Sequence, residues 1–315
     1  MRLILSVNFL LLFHLAEAQL NTLPPKISID QIATIIKAEG YPDFMAAAEN
    51  GVWVTNDGRV DKFIFGNEKP VMSVSIPTPC GAMAVGFGSL WVTSCASKSL
   101  YRIDLLSGKM MAIIETGIAD SEGELSVAIG AGSVWLLTNV NGELSRIDPY
   151  QNKVIRKIKV LPNSFAAAFG FNFIWITNTE NGSIQKIDPI KEKVISTTPV
   201  GLSPRFLAAG SGAIWTLNQG DGTVSRIDPV TSEVVSTIAV EVAGTGGDIA
   251  TGSDRVYVRA KNTLLSVIDP NTNKVISRYG PAAGSGAVRV ENGRVWITAH
   301  DIHTIWIIKE SLLSD

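Results

Sequence analysis

Near the end of this 315-residue chain stands the run His300-Asp301-Ile302-His303. Imidazole changes charge near neutral pH and ligates divalent metals. Two histidines flanking an aspartate on one turn could therefore act as general acid and base, or supply part of a coordination shell. The same run also reads as a polar hairpin turn, because it occupies the place that Gln219-Gly220-Asp221-Gly222 holds one repeat-pair earlier. His300 and His303 are the candidate catalytic residues, and the sequence names no third metal ligand beside them. Asp43, Glu122, Glu124, Arg205, Asp248 and Asp301 lie at the borders of apolar runs, where loops gather. Of these, Asp43, Glu124, Arg205, Asp248 and Asp301 are the candidate ligand-binding groups. No phosphate loop, GxGxxG, HExxH or nucleophile elbow accompanies them.

The two cysteines offer a second chemistry. In Pro77–Cys95 a two-residue turn at Phe87-Gly88 pairs Gly86 with Ser89, and continuing that register places Cys80 opposite Cys95. In an exported chain such a pair forms a disulfide, while a metal-binding or catalytic thiol pair is the rival reading.

What positions these groups is a repeat. Trp53, Trp91, Trp135, Trp175, Trp215, Tyr257 and Trp296 recur at spacings of 38, 44, 40, 40, 42 and 39 residues, each inside a short apolar strand such as GVWVTN or FIWITN. A small-residue strand ending near Gly precedes each anchor, as in AAAFG at 166–170. Turns such as Asn181-Gly182 and Asp221-Gly222 follow, supplying the positive φ of a tight hairpin. A third strand reads SRID or QKID and is stopped by Pro149, Pro189, Pro229 or Pro270. An outer strand such as KVISTT alternates with period two. Seven such units of about 40 residues predict an all-β, seven-bladed propeller of four-stranded blades.

The seventh unit lacks an outer strand, and residues 30–38 near the N-terminus have the sequence of one. They are expected to complete the last blade and seal the ring. The repeated Asp at the end of the third strand reads as a turn cap rather than an acidic metal ring. Asn56, Asn178 and Asn218, three residues past their anchors, either line the channel or bond their own turns.

This pattern, G-x-(I/V)-W-(V/I)-T-N followed by S-R-I-D-P and K-V-I-x-T, resembles YVTN-type propeller repeats and the virginiamycin B lyase-like superfamily of seven-bladed propellers. The resemblance covers nearly all of residues 19–315 and rests on turn formers, core anchors and strand residues. It implies a ligand site at the channel mouth. The lyase family adds histidines and a glutamate near a divalent metal such as Mg²⁺, a set that cannot be placed residue by residue on this chain.

Composition bounds the remaining possibilities. With 46% hydrophobic and 18% charged residues and a net charge of −2, the chain is not disordered. It also lacks the basic field that broad nucleic-acid binding requires. Residues 1–18, with Arg2, an apolar run to Leu15 and Ala16-Glu17-Ala18, read as a signal peptide cleaved after Ala18. The expectation is a monomeric secreted or periplasmic propeller, residues 19–315, with no span once the leader is removed. It binds a small molecule or a protein partner at the channel face. The alternatives are a lyase or hydrolase of a lactone, ester or cyclic substrate, and a structural envelope-interaction protein. Intact mass of the non-reduced protein tests the cysteine pairing. A bridge makes it two hydrogens lighter than the reduced form, whereas two alkylatable thiols exclude the bridge.

Overall fold

A computed structural model describes residues 23–116, 125–138 and 141–313. The leader and Glu122 and Glu124 lie outside the described residues. Seven antiparallel sheets make up the ring. Blade one comprises Met45–Ala48, Gly51–Asn56, Arg59–Ile64 and Met72–Ser75 from axis to rim. Blades two to six repeat this order, starting at Ala84, Ser126, Ser164, Pro204 and Gly247. Blade seven contains Val288–Glu291, Arg294–Ala299 and Thr304–Lys309, and its outer strand is Ala33–Lys37 from the other end of the chain. Ala33 pairs with Ile308 and Lys37 with Thr304, so the N-terminal strand completes the last blade. Just before it, Lys26–Ile27 adds in parallel outside Lys274–Tyr279, giving blade six a fifth strand.

Each repeated residue type has an identifiable task. The six anchor tryptophans and Tyr257 are fully buried between blades. In blades two to five the indole Nε1 donates to the carbonyl of the glycine five residues earlier, at 3.0–3.2 Å. Those glycines are required by crowding at the axis. A Cβ on Gly130 would lie 2.0 Å from the ring of Phe169 in the next blade.

The third-strand cation lies over its blade's tryptophan, at 5.0 Å for Arg102 on Trp91 and 5.3 Å for Arg226 on Trp215. Its far end then bonds the next blade. Arg226 donates to Pro270 O at 2.6 Å, Lys186 to Pro229 O at 2.7 Å, and Arg102 to Pro149 O. Arg146 instead pairs with Glu192 at 2.9 Å. The Asp that follows caps its own turn. Asp148 Oδ1 accepts from Tyr150 N and Gln151 N, and Asp188 and Asp228 do the same two residues and three residues on. These bonds hold the carboxyls of Asp148, Asp188 and Asp228 below the usual range.

Asn56, Asn178 and Asn218 bond turns. Asn178 donates to Pro162 O and accepts from Asn181 N, while Asn218 donates to Thr223 and Ser225. Cys80 and Cys95 are joined, with Cα atoms 5.9 Å apart. They are not directly opposed. The pairs Ala84–Trp91 and Gly86–Ser89 keep the expected register, but beyond Gly81 it slips by two, and Cys80 N donates to Thr93 O. The slip arises where the strand leaves for blade three, Ala82 N donating to Leu125 O.

The closing strand buries Ile36, and the segment before it buries Ile29, at 2% and 1% exposure. Replacing a buried Ile by Ala costs about 2–5 kcal/mol. Ile36→Ala should therefore lower Tm by about 3–8 °C, and deletion of residues 19–38 by more. An unchanged melting curve for the deletion would overturn ring closure by this strand.

Candidate functional site

In this topology the turns between second and third strands share a face with the connections from each outer strand to the next inner one. That face carries the 300–303 turn, the 38–44 connection from blade seven to blade one, and the 240–246 and 280–287 connections on either side of blade six. Together with the inner strand of blade five they enclose a cavity of about 300 Å³ at the channel mouth. A second cavity of about 370 Å³ fills the channel below and is lined by the small residues of the inner strands. Phe206 and Asp248 border both.

His300 forms one wall. It opens a short 3-10 turn that ends at His303 in the left-handed region, φ 50°. The imidazole is buried and stacks on Tyr41, with ring centroids 4.2 Å apart. Asp301 Oδ1 is 3.0 Å from Nδ1, and Asp43 Oδ1 is 4.0 Å from Nε2. Burial outweighs the pull of Asp301 and holds the imidazole below its ordinary pKa, so it is neutral at pH 7. Asp301 is itself held by Ser285 N–H at 3.1 Å.

Asp248 forms the floor, where the mouth narrows into the channel. Its carboxylate accepts from Ile249 N at 2.9 Å, from Val288 N at 3.1 Å and from the guanidinium of Arg289. Full burial nevertheless pushes its pKa up. Behind it Arg259 is fully buried, donating to Thr298 O, Ala260 O and Ala283 O. Burial brings its pKa down to about 10, although Asp301 and Asp248 both favour its charge. Opposite, the Arg205 guanidinium lies 4.9 Å over the Phe165 ring and has no ion-pair partner among the described residues. Gln219 is 4% exposed, and neither atom of its side-chain amide has a hydrogen-bond partner among the described residues.

Five of the residues singled out in the sequence line this one cavity: Asp43, Arg205, Asp248, His300 and Asp301. His303 does not. It is exposed, with Nδ1 against Gly40 O, so it holds the neighbouring connection rather than facing the cavity. Tyr41, Gln219, Arg259 and Arg289 are site residues that sequence reasoning passed over. Arg259 carried a readable signal. Two residues past the anchor, Thr55, Thr177 and Thr298 use Oγ1 to accept an N–H from the inner strand. Blade six replaces that threonine with arginine and its tryptophan with tyrosine.

No group of three or more His, Cys, Asp or Glu among the described residues is arranged to hold a metal ion. The two nitrogens of His300 face Asp301 on one side and Asp43 and Tyr41 on the other.

The sequence matches no protein-family model and no curated protein. Solved structures share the fold. A streptogramin B lyase superposes with TM-score 0.73 at 16% identity, covering 89% of this chain and 98% of the other. Virginiamycin B lyase from Staphylococcus aureus gives 0.72 at 15%, covering 88% and 98%. U3-55K gives 0.75 at only 7% identity, covering 91% and 100%. At these identities the likeness speaks for the seven-bladed ring alone.

The depressed pKa of His300 makes a signed prediction. The unfolded chain gains a proton as pH falls through about 6.5, while the folded chain resists it. Stability from this group is present above that pH and lost below it. Thermal melts at about pH 7.5 and 5.5 should show a larger loss on acidification for the wild type than for His300→Gln. Equal losses would exclude His300 as the source.

Proposed function

We propose that this chain is an exported propeller that binds a small organic anion in the channel-mouth cavity. The observation that carries this reading is Gln219, a buried amide at the cavity wall with both its polar atoms unpaired. An unsatisfied buried polar group costs about 1–3 kcal/mol, which a ligand offering a donor and an acceptor would recover.

Charge defines the ligand class. Three carboxylates line the cavity: Asp248 is engaged by Arg289 and two N–H groups, Asp301 by Ser285 N–H beside His300, and Asp43 stands 4.0 Å from His300 Nε2. Arg205 stacks on Phe165 without a carboxylate, and Lys261 stands exposed at the rim. A carboxylate-bearing molecule would find its counter-charge at Arg205 and its hydrogen bonds at Gln219. Residues 1–18 support export through their charge, apolar run and small-residue cleavage pattern.

A second reading, a lyase or hydrolase acting on a lactone, ester or cyclic substrate, is favoured by His300. Burial favours its neutral form, and Asp301 Oδ1 lies 3.0 Å from Nδ1, the side opposite the one a substrate proton would reach. In that reading the proton leaves the substrate for Nε2, beside the Tyr41 hydroxyl at 3.4 Å.

A thermal-shift panel of small carboxylates, amines and neutral sugars separates these readings. A binding carboxylate at about 100 times Kd should raise Tm by on the order of 5 °C. Arg205→Ala should weaken it by about 10–100-fold, the worth of one charge-assisted hydrogen bond. Stabilisation by amines alone would overturn the anion assignment. Turnover of a cyclic ester that is lost in His300→Gln would favour catalysis.

A further inference from the structure

The face opposite the mouth carries a pattern that the cavity does not use. In blades two to five the turn between third and outer strands presents one apolar side chain two residues after its capping Asp. These are Leu106, Tyr150, Ile190 and Val230, at 84%, 79%, 89% and 84% exposure. Five residues on, each outer strand exposes another, Met111, Ile155, Ile195 and Val235. Single exposed apolar side chains are ordinary, but here they recur at one repeat position in four consecutive blades.

The capping bonds explain why these tips protrude. The Asp of each turn fixes the backbone N–H of the apolar residue itself, at 2.7–3.2 Å in all four turns. The side chain is therefore held outward by the bond that closes the turn. Because the blades repeat around one axis, the four tips stand at a common height along an arc. A flat array of convex apolar points fits a fluid planar surface, which needs no matching pockets.

Charge identifies the surface. Lys153 and Lys193 begin the outer strands of blades three and four and Lys109 directly precedes that of blade two, each two residues before Met111, Ile155 or Ile195. Each aliphatic residue is the extra residue of a β-bulge in its outer strand, and it is exposed as the lysine is. All three are exposed and none has an ion-pair partner among the described residues. Asp148 and Asp188 face Lys153 and Lys193 across the strand pair, and blade five has Glu233 in the lysine's place. Asp104, Asp148 and Asp188 cap their turns, and Glu192 pairs with Arg146 and Arg156. The rim of blades two to four thus carries a row of exposed lysines interleaved with apolar tips.

We propose that this rim, blades two to five on the face opposite the mouth, docks on an anionic phospholipid surface. The apolar tips enter the headgroup region and Lys109, Lys153 and Lys193 meet lipid phosphates. Blade six ends the arc, because its turn carries Asn271 and its outer strand is covered by Lys26–Ile27. Docked this way, the mouth cavity faces away from the bilayer.

Co-sedimentation with phosphatidylglycerol–phosphatidylcholine vesicles tests it, with pure phosphatidylcholine vesicles as the second arm. The full chain is used as its producing cell makes it, with or without the leader. Any leader is common to all variants, so the difference between them reads the rim. The wild type should bind the anionic vesicles, and added salt should weaken it. Leu106→Ser/Tyr150→Ser/Ile190→Ser/Val230→Ser should bind on the order of tenfold more weakly. Lys109→Gln/Lys153→Gln/Lys193→Gln should lose the preference for anionic over zwitterionic vesicles. If the quadruple variant melts below the wild type, Ile190→Ser and Val230→Ser alone replace it, each expected to bind more weakly. No binding to anionic vesicles, or equal binding by wild type and tip variants, would overturn the proposal. So would self-association of the wild type, seen by sedimentation and lost in the tip variants, which would assign the rim to a second copy.

Discussion

The ring is held by a cation that serves two blades at once. In blades two to five an arginine or lysine of the third strand covers its own tryptophan and ends in a hydrogen bond or ion pair at the neighbouring blade's outer turn. The tryptophan is in turn fixed by the glycine carbonyl of the inner strand. One side chain therefore sets the distance and the angle between consecutive blades. The S-R-I-D-P sequence is the linear trace of this arrangement. Arginine spans, aspartate closes the turn, and the proline carbonyl receives the previous blade in three of the four junctions.

Where the cation is missing, the ring is assembled by other means, and the polar cavity lies there. Blade six has Val267 in the cation's place, and Tyr257 donates to Glu310 at 3.1 Å instead. Blade seven has Ile307 opposite Trp296, whose Nε1 has no partner among the described residues. The junctions of blades six, seven and one are joined by Arg259, by the closing strand and by the stacked pair Tyr41–His300. Relieved of the repeat's requirements, these blades could accumulate the irregular polar residues that the mouth cavity contains.

This division also explains what the sequence reveals. The ring is legible because its constraints repeat. Trp135 and Gly130 mean little alone, but the same pair five residues apart in four blades signals a packing rule. The closing strand was readable for the same reason, since residues 30–38 match an outer strand that blade seven lacks. The site is legible only where a residue breaks the rule. His300 and Asp301 stood out because they replace a Gly-rich turn. Gln219 did not, because it occupies an ordinary turn position and its importance lies in the partners that its buried amide lacks. Register failed locally for a physical reason too. The pairing from Gly86–Ser89 could be extrapolated only as far as Gly81, where blade three takes over the backbone bonds of Ala82. His303 was grouped with His300 by proximity in sequence, yet a left-handed residue at the turn's end directs it to the Gly40 carbonyl.

The strand Ala33–Lys37 also dictates an order of events. Its partner is Thr304–Lys309, so the second element of the chain waits for nearly the last one before it can pair. Each blade from one to six can form from contiguous sequence, with local hairpins closing quickly. The final pairing spans almost the entire chain and pays the largest loop-closure entropy. Until the C-terminal hairpin of blade seven has emerged, blade one exposes an uncovered flank and the mouth cavity has no wall from His300. A chain halted short of residue 304 would hold most of a ring in which Ala33–Lys37 has no strand to pair with.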